Sequence, residues 1–219
     1  RKEAKALVKA GRVQVGGARP QGPEDKVAEG TPVTVDGRPI ATEQGVYVML
    51  HKPAGVVSST QDPRERTVLD LLPPELRKRD LSPVGRLDKD TEGLLLLTND
   101  GALTQRLLHP SHEVSTEYRV TVSGPVEHAA ENLRRIRDVA GMAIRPAEVQ
   151  MLRRGGNRAE LRIVIPEGRH RPIRRMCARR GLEVLRLQRV REHCLELGTL
   201  PLGQWRYLTA EEIAGLEEE

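Results

Sequence analysis

GRLDKDTEGLLLLTNDG, residues 85–101, is the stretch of the chain that decides the fold. A dense group of charged residues stands directly before a run of four leucines at 94–97, and the run ends in the turn signal Asn-Asp-Gly. A short apolar run bounded by turn residues is typical of a buried strand. We therefore expect the charged residues to form a loop that is held rigidly at the end of a core strand.

The segments around this strand predict a mixture of strands and helices. Alternating apolar residues predict strands, among them TEYRVTVSG (116–124), in which Tyr118 and Val120 share one face. Helical spacing with a glycine stop predicts a helix in RPIRRMCARRG (171–181), and RTVLDLLPPELR (66–77) is expected to hold a short helix that ends at its proline pair. Strands joined by hairpin-like turns, with interspersed helices, indicate an α+β fold with a mixed, largely antiparallel sheet.

Residues 1–45 are predicted to form a small module joined to a larger domain at 46–219. One helix (KEAKALVKAG) and two short strands (RVQVGG and TPVTVDGRPI) are too few to bury a good core alone. The spacing of Lys2, Lys5 and Lys9 gathers them towards one helix face. Because the chain opens at Arg1 rather than Met, we expect the native N-terminus and part of this module to precede it.

Composition excludes several classes of protein. No apolar run approaches the ~18 to 20 residues that a membrane span needs, and no apolar signal segment stands at the start. Two cysteines, Cys177 and Cys194, cannot form a disulfide scaffold or a four-thiolate metal site. We expect a cytoplasmic protein with no membrane partner.

The positive charge is concentrated in one region. The chain has a net charge of +5, and the segment from Arg145 to Arg191 holds 14 arginines against four acids. Guanidinium groups pair with phosphate through two donors, so this field favours a nucleic acid partner. A solvated, ion-paired surface gives the same composition, and composition alone leaves both interpretations open.

The acids of the central loop invite a calcium interpretation, which fails on spacing. Asp88, Asp90, Glu92 and Gly93 fit positions one, three, five and six of a calcium loop. The twelfth position is Asn99, where a bidentate glutamate is needed, and the leucine run occupies the positions between. We therefore expect no metal site here.

The chain resembles the RsuA/RluB/RluE/RluF pseudouridine synthases over nearly its whole length. The resemblance rests on VGRLDKDTEGLLLLTNDGALTQRLLHPSHEV (84–114), supported by HKPAGVVSS (51–59), EYRVTV (117–122) and EGRHRPIRRMCARRG (167–181). Residues 1–45 resemble the C-terminal part of the αL RNA-binding module of a small-subunit ribosomal protein. The chain departs from the family at Thr116, where Lys or Arg is usual, and at Pro172, where a polar residue is usual; both departures concern substrate positioning.

This resemblance implies isomerisation of uridine to pseudouridine in ribosomal RNA without a cofactor or metal. Asp88 is then the catalytic carboxylate, which attacks C1′ or C6, and Arg174 is its cationic partner. The resemblance gives Tyr118 the role of covering the base and Leu187 that of an apolar wall, and Arg86 is placed to fill the space that the target base leaves. RNA phosphates are expected to contact a further set of residues, namely Arg169, Arg171, Arg175, Arg179, Lys2, Lys5 and Lys9.

Two other functions fit the same sequence less well. A non-catalytic RNA-binding or ribosome-assembly protein would use the same basic surface, and a metal-dependent nuclease would use the acidic cluster. The intact GRLD segment, together with Tyr118 and Arg174, favours the isomerase. LLHPSHEV and IRRM indicate large-subunit (23S) rather than small-subunit (16S) ribosomal RNA as the substrate, and we expect a monomer.

Overall fold

The computed structural model divides the chain into two compact units, Arg1–Gln44 and Gly45–Glu219. It describes residues 2–28, 30–40, 45–109, 114–139, 141–143, 147–166 and 172–218. The division falls one residue before the predicted boundary. Assignment of the first unit to the αL module stays a prediction.

The first unit contains one helix and a three-stranded antiparallel sheet. Its elements are α1 Lys2–Lys9, β1 Val13–Val15, β2 Val33–Val35 and β3 Arg38–Pro39. The strand order is β1-β2-β3, and α1 has no buried residue. Arg12 pairs with the carboxylate of Asp36 in the turn after β2. This unit therefore has very little core of its own, as its length predicts.

The second unit contains the remaining helices and strands. Its strands are β4 Tyr47–Lys52, β5 Ser82–Pro83, β6 Glu92–Thr98, β7 Thr116–Ser123, β8 Asp138–Val139, β9 Met142–Ala143, β10 Glu148–Gly155, β11 Arg158–Ile165, β12 Glu183–Glu192, β13 Leu195–Glu196 and β14 Trp205–Tyr207. Its helices are a 3₁₀ helix Val68–Leu71, α2 Pro74–Arg77, α3 Gly101–Leu107, α4 Ala129–Arg134, α5 Pro172–Arg179 and α6 Ala210–Glu218. Among the described residues, no helix has the length and apolar character that a membrane crossing requires.

One large sheet organises the second unit. Its strand order is β10-β11-β7-β12-β6-β4-β14, with β13 beside β12 and β5 beside β6. The contact between β12 and β6 is parallel, and the other described pairs of this sheet are antiparallel. The predicted α+β fold with a mixed, largely antiparallel sheet is confirmed.

The sheet carries apolar cores on both faces. Its register places Tyr118, Arg189, Gly93 and Lys52 in one row across β7, β12, β6 and β4. Side chains two residues apart on a strand share a face, so two apolar clusters lie on the face of this row, one with α4 and α5 and one with the 3₁₀ helix and α2. A third cluster, with α3 and α6, lies on the opposite face.

The proline pair lies between two short helices and begins the second of them. The 3₁₀ helix stops at Leu71, and α2 starts at Pro74 with Pro73 as its N-cap. Proline lacks the N–H that a first-turn residue would leave unpaired, and its φ suits that position. The predicted short helix thus ends just before the proline pair, and the second helix, which the pair begins, was not predicted.

Gly93 allows the two halves of the sheet to meet, one half being β10, β11, β7 and β12 and the other β6, β4 and β14. The parallel ladder has only two pairs, Gln188 with Glu92 and Arg189 with Gly93. Gly93 has φ +116°, and a Cβ built there would stand 2.1 Å from the carbonyl oxygen and 2.5 Å from the nitrogen of Arg189. Both atoms are main chain and cannot rotate away, so the ladder requires glycine at this position.

We expect Gly93→Ala to lower the free energy of unfolding by about 3 kcal/mol or more, because backbone strain adds to a steric clash. Gly156→Ala is the matched control, since Gly156 also has a positive φ (+56°) but nothing stands within 4 Å of its Cβ position. The control should lose only about 1 kcal/mol, from backbone strain alone. Urea denaturation of both variants measures the difference, and equal losses would contradict the role assigned to Gly93.

Candidate active site

The loop between β5 and β6 carries Asp88 and is anchored in the core on both sides of that residue. Leu87 packs in an apolar cluster with Val56, and Thr91 is only 3% exposed. The N–H of Thr91 donates to the carbonyl oxygen of Asp88 at 3.0 Å. Asp88 is half-buried, whereas Arg86 is exposed. The main chain of Asp88 is therefore fixed, while Arg86 reaches solvent.

Tyr118 and Leu187 are diagonal neighbours on one face of the sheet. In the register of β7 with β12, Leu187 lies opposite Val120 and Tyr118 lies opposite Arg189. Leu187 is 5% exposed, and the half-buried ring of Tyr118 packs against the same apolar cluster. An aromatic ring and an apolar side chain are thus placed side by side on this face, and their roles towards a substrate stay predictions.

Arg174 contacts the loop through Asp90. Its Nη2 donates to the carbonyl oxygen of Asp90 at 2.9 Å and lies 3.4 Å from Asp90 Oδ2. The Arg174 side chain is 20% exposed, against 56% for Asp90. Helix α5 is therefore tied to the loop two residues after Asp88. A direct pair between Arg174 and Asp88 stays a prediction.

Lys52 is a cation of this site that the sequence analysis missed. It is completely buried at the end of β4, and its Nζ donates to the carbonyl oxygens of Thr91, Pro53 and Lys89 at 2.7, 3.0 and 3.3 Å. Burial lowers the pKa of Lys52 from 10.5 to about 8, and the negative charges of Asp90, Asp88 and Glu92 oppose that shift. A fixed positive charge thus lies beneath the loop that carries Asp88. The sequence did contain a signal for this buried cation: a lysine extends the apolar strand YVML and stands directly before a proline.

The segment after Lys52 contacts the same loop. The N–H of Gly55 donates to the carbonyl oxygen of Lys89 at 2.7 Å. Lys89 Nζ forms an ion pair of 2.7 Å with Glu65 Oε2. HKPAGVVSS (51–59) therefore supports the loop of Asp88 through a main-chain bond.

Most of the described members of the arginine field are ion-paired. Seven of its eleven described members pair with carboxylates: Arg153 with Glu160, Arg162 and Arg191 with Glu117, Arg174 with Asp90, Arg179 with Asp138, Arg186 with Glu92, and Arg189 with Glu192. The pair of Arg162 with Glu117 is bidentate, at 2.9 and 2.8 Å. The interpretation as an ion-paired surface thus applies to these seven arginines and leaves the nucleic acid interpretation for the others.

The residues predicted to contact RNA phosphates differ in whether a carboxylate already pairs with them. Arg175 is exposed on α5 and has no ion pair or hydrogen bond among the described residues, whereas Arg179 Nη1 lies 2.7 Å from Asp138 Oδ1. Arg169 and Arg171 lie outside the described residues. The three lysines of α1 are exposed, and one of them, Lys5, lies 3.6 Å from Glu24.

The acids of the loop do not form a metal cage. Glu92 Oε2 accepts from Arg186 Nε at 2.7 Å, and Asp90 pairs with Arg174. Within the described ranges there is no group of three or more His, Cys, Asp or Glu residues that could hold a metal ion. Two of the three loop acids already neutralise arginines, so the acidic cluster does not support a metal-dependent nuclease.

Comparison with known proteins assigns the family. The model of RNA pseudouridylate synthases matches residues 46–179. The chain belongs to this family. It is 37% identical to a ribosomal small subunit pseudouridine synthase A of Vibrio cholerae, over 99% of this chain and 93% of that protein. It is 36% identical to a ribosomal large subunit pseudouridine synthase B of Bacillus subtilis, over 99% and 89%.

A crystal structure of a pseudouridylate synthase has the same fold. It superposes with a TM-score of 0.69 at 29% identity and covers 98% of this chain and 93% of the other. These comparisons confirm the family that was predicted from the GRLD segment. They also confirm the predicted enzyme class, an isomerase that makes pseudouridine in RNA. The match covers Lys52, the GRLD loop, Tyr118 and Arg174, whereas Leu187 lies beyond it.

Lys52 should give the stability of the protein a characteristic pH dependence. The folded state releases this proton near pH 8 and the unfolded state near pH 10.5, so between these values the unfolded state binds more protons and the free energy of unfolding rises with pH. The slope of this contribution is at most about 1.4 kcal/mol per pH unit. Lys52→Met lacks this titration.

Urea denaturation of both proteins between about pH 7.5 and about pH 9.5 measures the effect as wild type minus variant. This difference should increase with pH. A difference that stays flat over the range would show that Lys52 titrates as an ordinary exposed lysine.

Proposed function

We propose that the protein isomerises uridine to pseudouridine in ribosomal RNA, with Asp88 as its catalytic carboxylate. The observation that carries the proposal is the placement of Asp88: it is half-buried in a loop whose main chain is held on both sides, above the buried ammonium group of Lys52. A carboxylate that must stay ionised away from bulk water benefits from such a fixed cation.

The reaction requires the N1–C1′ bond of uridine to break and a C5–C1′ bond to form. An oxygen of Asp88 bonds either to C1′ as the N1–C1′ bond breaks or to C6 of the ring, and both routes fit a single anionic nucleophile. The uracil rotates while bound and C5 bonds to C1′. The bond to Asp88 breaks, at C1′ as C5 attacks or at C6 afterwards, so the carboxylate is regenerated. C5 then loses its proton and N1 gains one. Tyr118 is proposed to cover the ring and to assist that proton loss, and Leu187 to form the apolar wall behind it.

Arg174 is proposed to complete the charge balance of the site. Its contacts with Asp90 bring a guanidinium group to the loop of Asp88, while only 20% of its side chain is exposed. Charge-assisted bonds in such partly buried settings are stronger than exposed ones. Arg86, exposed on the same loop, is proposed to occupy the place of the extruded base.

Ribosomal RNA is the substrate that the relatives suggest, and their names include both subunits. We propose large-subunit ribosomal RNA, on the basis of LLHPSHEV and IRRM, with small-subunit RNA as the alternative. Mapping of pseudouridines in both ribosomal RNAs, from cells with and without the protein, decides between them. The enzyme is proposed to act as a monomer in the cytoplasm.

Two positively charged surfaces are proposed to bind the RNA away from the reacting base. One is helix α5 with the segment before it, which carries Arg169, Arg171, Arg175 and Arg179. The other is the lysine face of α1, with Lys2, Lys5 and Lys9, which would add affinity by tethering. Arg175 and Lys9 are exposed and have no ion pair among the described residues, so both charges are available to phosphate.

Asp88→Asn should abolish isomerisation and leave the fold and most RNA affinity intact, because asparagine is nearly isosteric but is not an anionic nucleophile. Tritium release from RNA that contains 5-tritiated uridine measures turnover. Asp90→Asn is the control on the same loop, and it should keep roughly a tenth or more of the turnover, since it weakens the pairing of Arg174 and removes one counter-charge of Lys52 but leaves the carboxylate of Asp88 in place. Retention of more than about a few per cent of wild-type turnover by Asp88→Asn would refute the assignment.

Arg175→Ala and Lys9→Ala should each lower the slope of log Kd against log salt concentration by roughly one, because each removes one phosphate contact. Turnover at saturating RNA should not change. Lys78→Ala is the control, because Lys78 is exposed after α2, lies outside the arginine field and both surfaces, and its side chain has no ion pair or hydrogen bond among the described residues. Fluorescence anisotropy at several salt concentrations measures the slopes, and equal slopes in all three variants would contradict these two surfaces.

A further inference from the structure

Ser58 is a buried serine that lies beside the loop of Asp88 and has no role in the mechanism above. Only 5% of it is exposed. Its neighbour Val57 is fixed by two main-chain bonds, since the N–H of Val57 donates to Arg66 at 3.0 Å and its carbonyl oxygen accepts from Val68 at 3.1 Å. The position of Ser58 is therefore set by a segment distant in sequence from Asp88.

The hydroxyl group of Ser58 makes two hydrogen bonds to one residue. Its Oγ donates to the carbonyl oxygen of Leu87 at 2.8 Å and accepts from the N–H of Leu87 at 3.0 Å. Leu87 directly precedes Asp88, and within the described residues no other hydrogen bond satisfies these two main-chain groups. A neutral hydroxyl suits this position because it donates and accepts at the same time.

We propose that Ser58 is a positioning residue for Asp88. The inference rests on the proposed catalytic role of Asp88. Leu87 is 6% exposed, so its main-chain groups need protein partners, and no strand pairs with them. Ser58 takes the place of a neighbouring strand and fixes the peptide units on either side of Leu87, the second of which leads into Asp88.

The apolar packing of Leu87 and the hydroxyl group of Ser58 stabilise the loop in different ways. The side chain of Leu87 packs with Val56, Val68 and Leu95 in the apolar cluster, and this packing does not involve the hydroxyl of Ser58. Removal of the hydroxyl leaves that packing in place but leaves two buried main-chain groups without partners. The loop regains partners only by shifting, and the shift moves the carboxylate of Asp88 relative to the substrate.

The test compares Ser58→Ala and Ser58→Cys with the control Ser59→Ala. Ser59 is the adjacent serine, and among the described residues its Oγ makes one hydrogen bond, an exposed one of 3.3 Å to the carbonyl oxygen of Gln61. kcat and KM are measured by tritium release at a temperature at which thermal melts show all proteins folded. Ser58→Ala should lower kcat about 10- to 100-fold, the cost of a small displacement of a reacting group, with KM changed less than about twofold.

Ser58→Cys should fall between wild type and Ser58→Ala, because a thiol is a weaker donor and acceptor at a similar size. Ser59→Ala should match wild type. A lower melting temperature with wild-type kcat in Ser58→Ala would mean a structural role only and would overturn the inference. If Ser58→Ala does not fold, Ser58→Cys decides: reduced kcat at unchanged KM supports the inference, and wild-type kcat overturns it.

Failure of the proposed function gives a different result. In that case wild type releases no tritium from ribosomal RNA, or Asp88→Asn remains active. An active wild type and an inactive Asp88→Asn, together with full kcat in Ser58→Ala, would overturn the positioning role alone.

Discussion

The catalytic domain depends on the close approach of β12 to Gly93. The two halves of the sheet have separate apolar clusters on one face, and the short parallel ladder joins their main chains. Tyr118 and Leu187 belong to one half, whereas Lys52 and the loop of Asp88 belong to the other. A wider separation at Gly93 would leave both halves folded locally but would pull the ring and the carboxylate apart.

Burial of the Lys52 ammonium group is costly, and the surrounding carbonyl groups offset much of that cost. An unpaired buried charge is strongly destabilising, whereas one that is hydrogen-bonded and faces opposite charge is tolerated. Here three main-chain carbonyl groups accept from Nζ, and the nearby carboxylates supply the counter-charge. The charge therefore favours one conformation of the loop, since any other conformation would leave the ammonium group unsatisfied.

Local patterns in the sequence predicted the elements well and the contacts between them poorly. The leucine run lies in β6, and alternation placed Tyr118 on the buried face of β7, because both depend only on neighbours along one strand. Arg162 and Glu117 are 45 residues apart and meet only through the register of β11 with β7, which no local pattern contains. The contact of Lys52 with Thr91 was missed for the same reason.

The loop of Asp88 is held almost entirely by its main chain. Lys52, Gly55 and the hydroxyl of Ser58 all bind peptide groups of residues 87–91, and none of these bonds depends on a side chain of the loop. Substitutions of Arg86 and Lys89 therefore leave these main-chain bonds in place, whereas Asp90 also pairs with Arg174. One scaffold can in this way acquire new RNA targets by substitutions on a fixed backbone, and a library randomised at positions 86 and 89 would sample recognition while the main chain of the loop keeps its conformation.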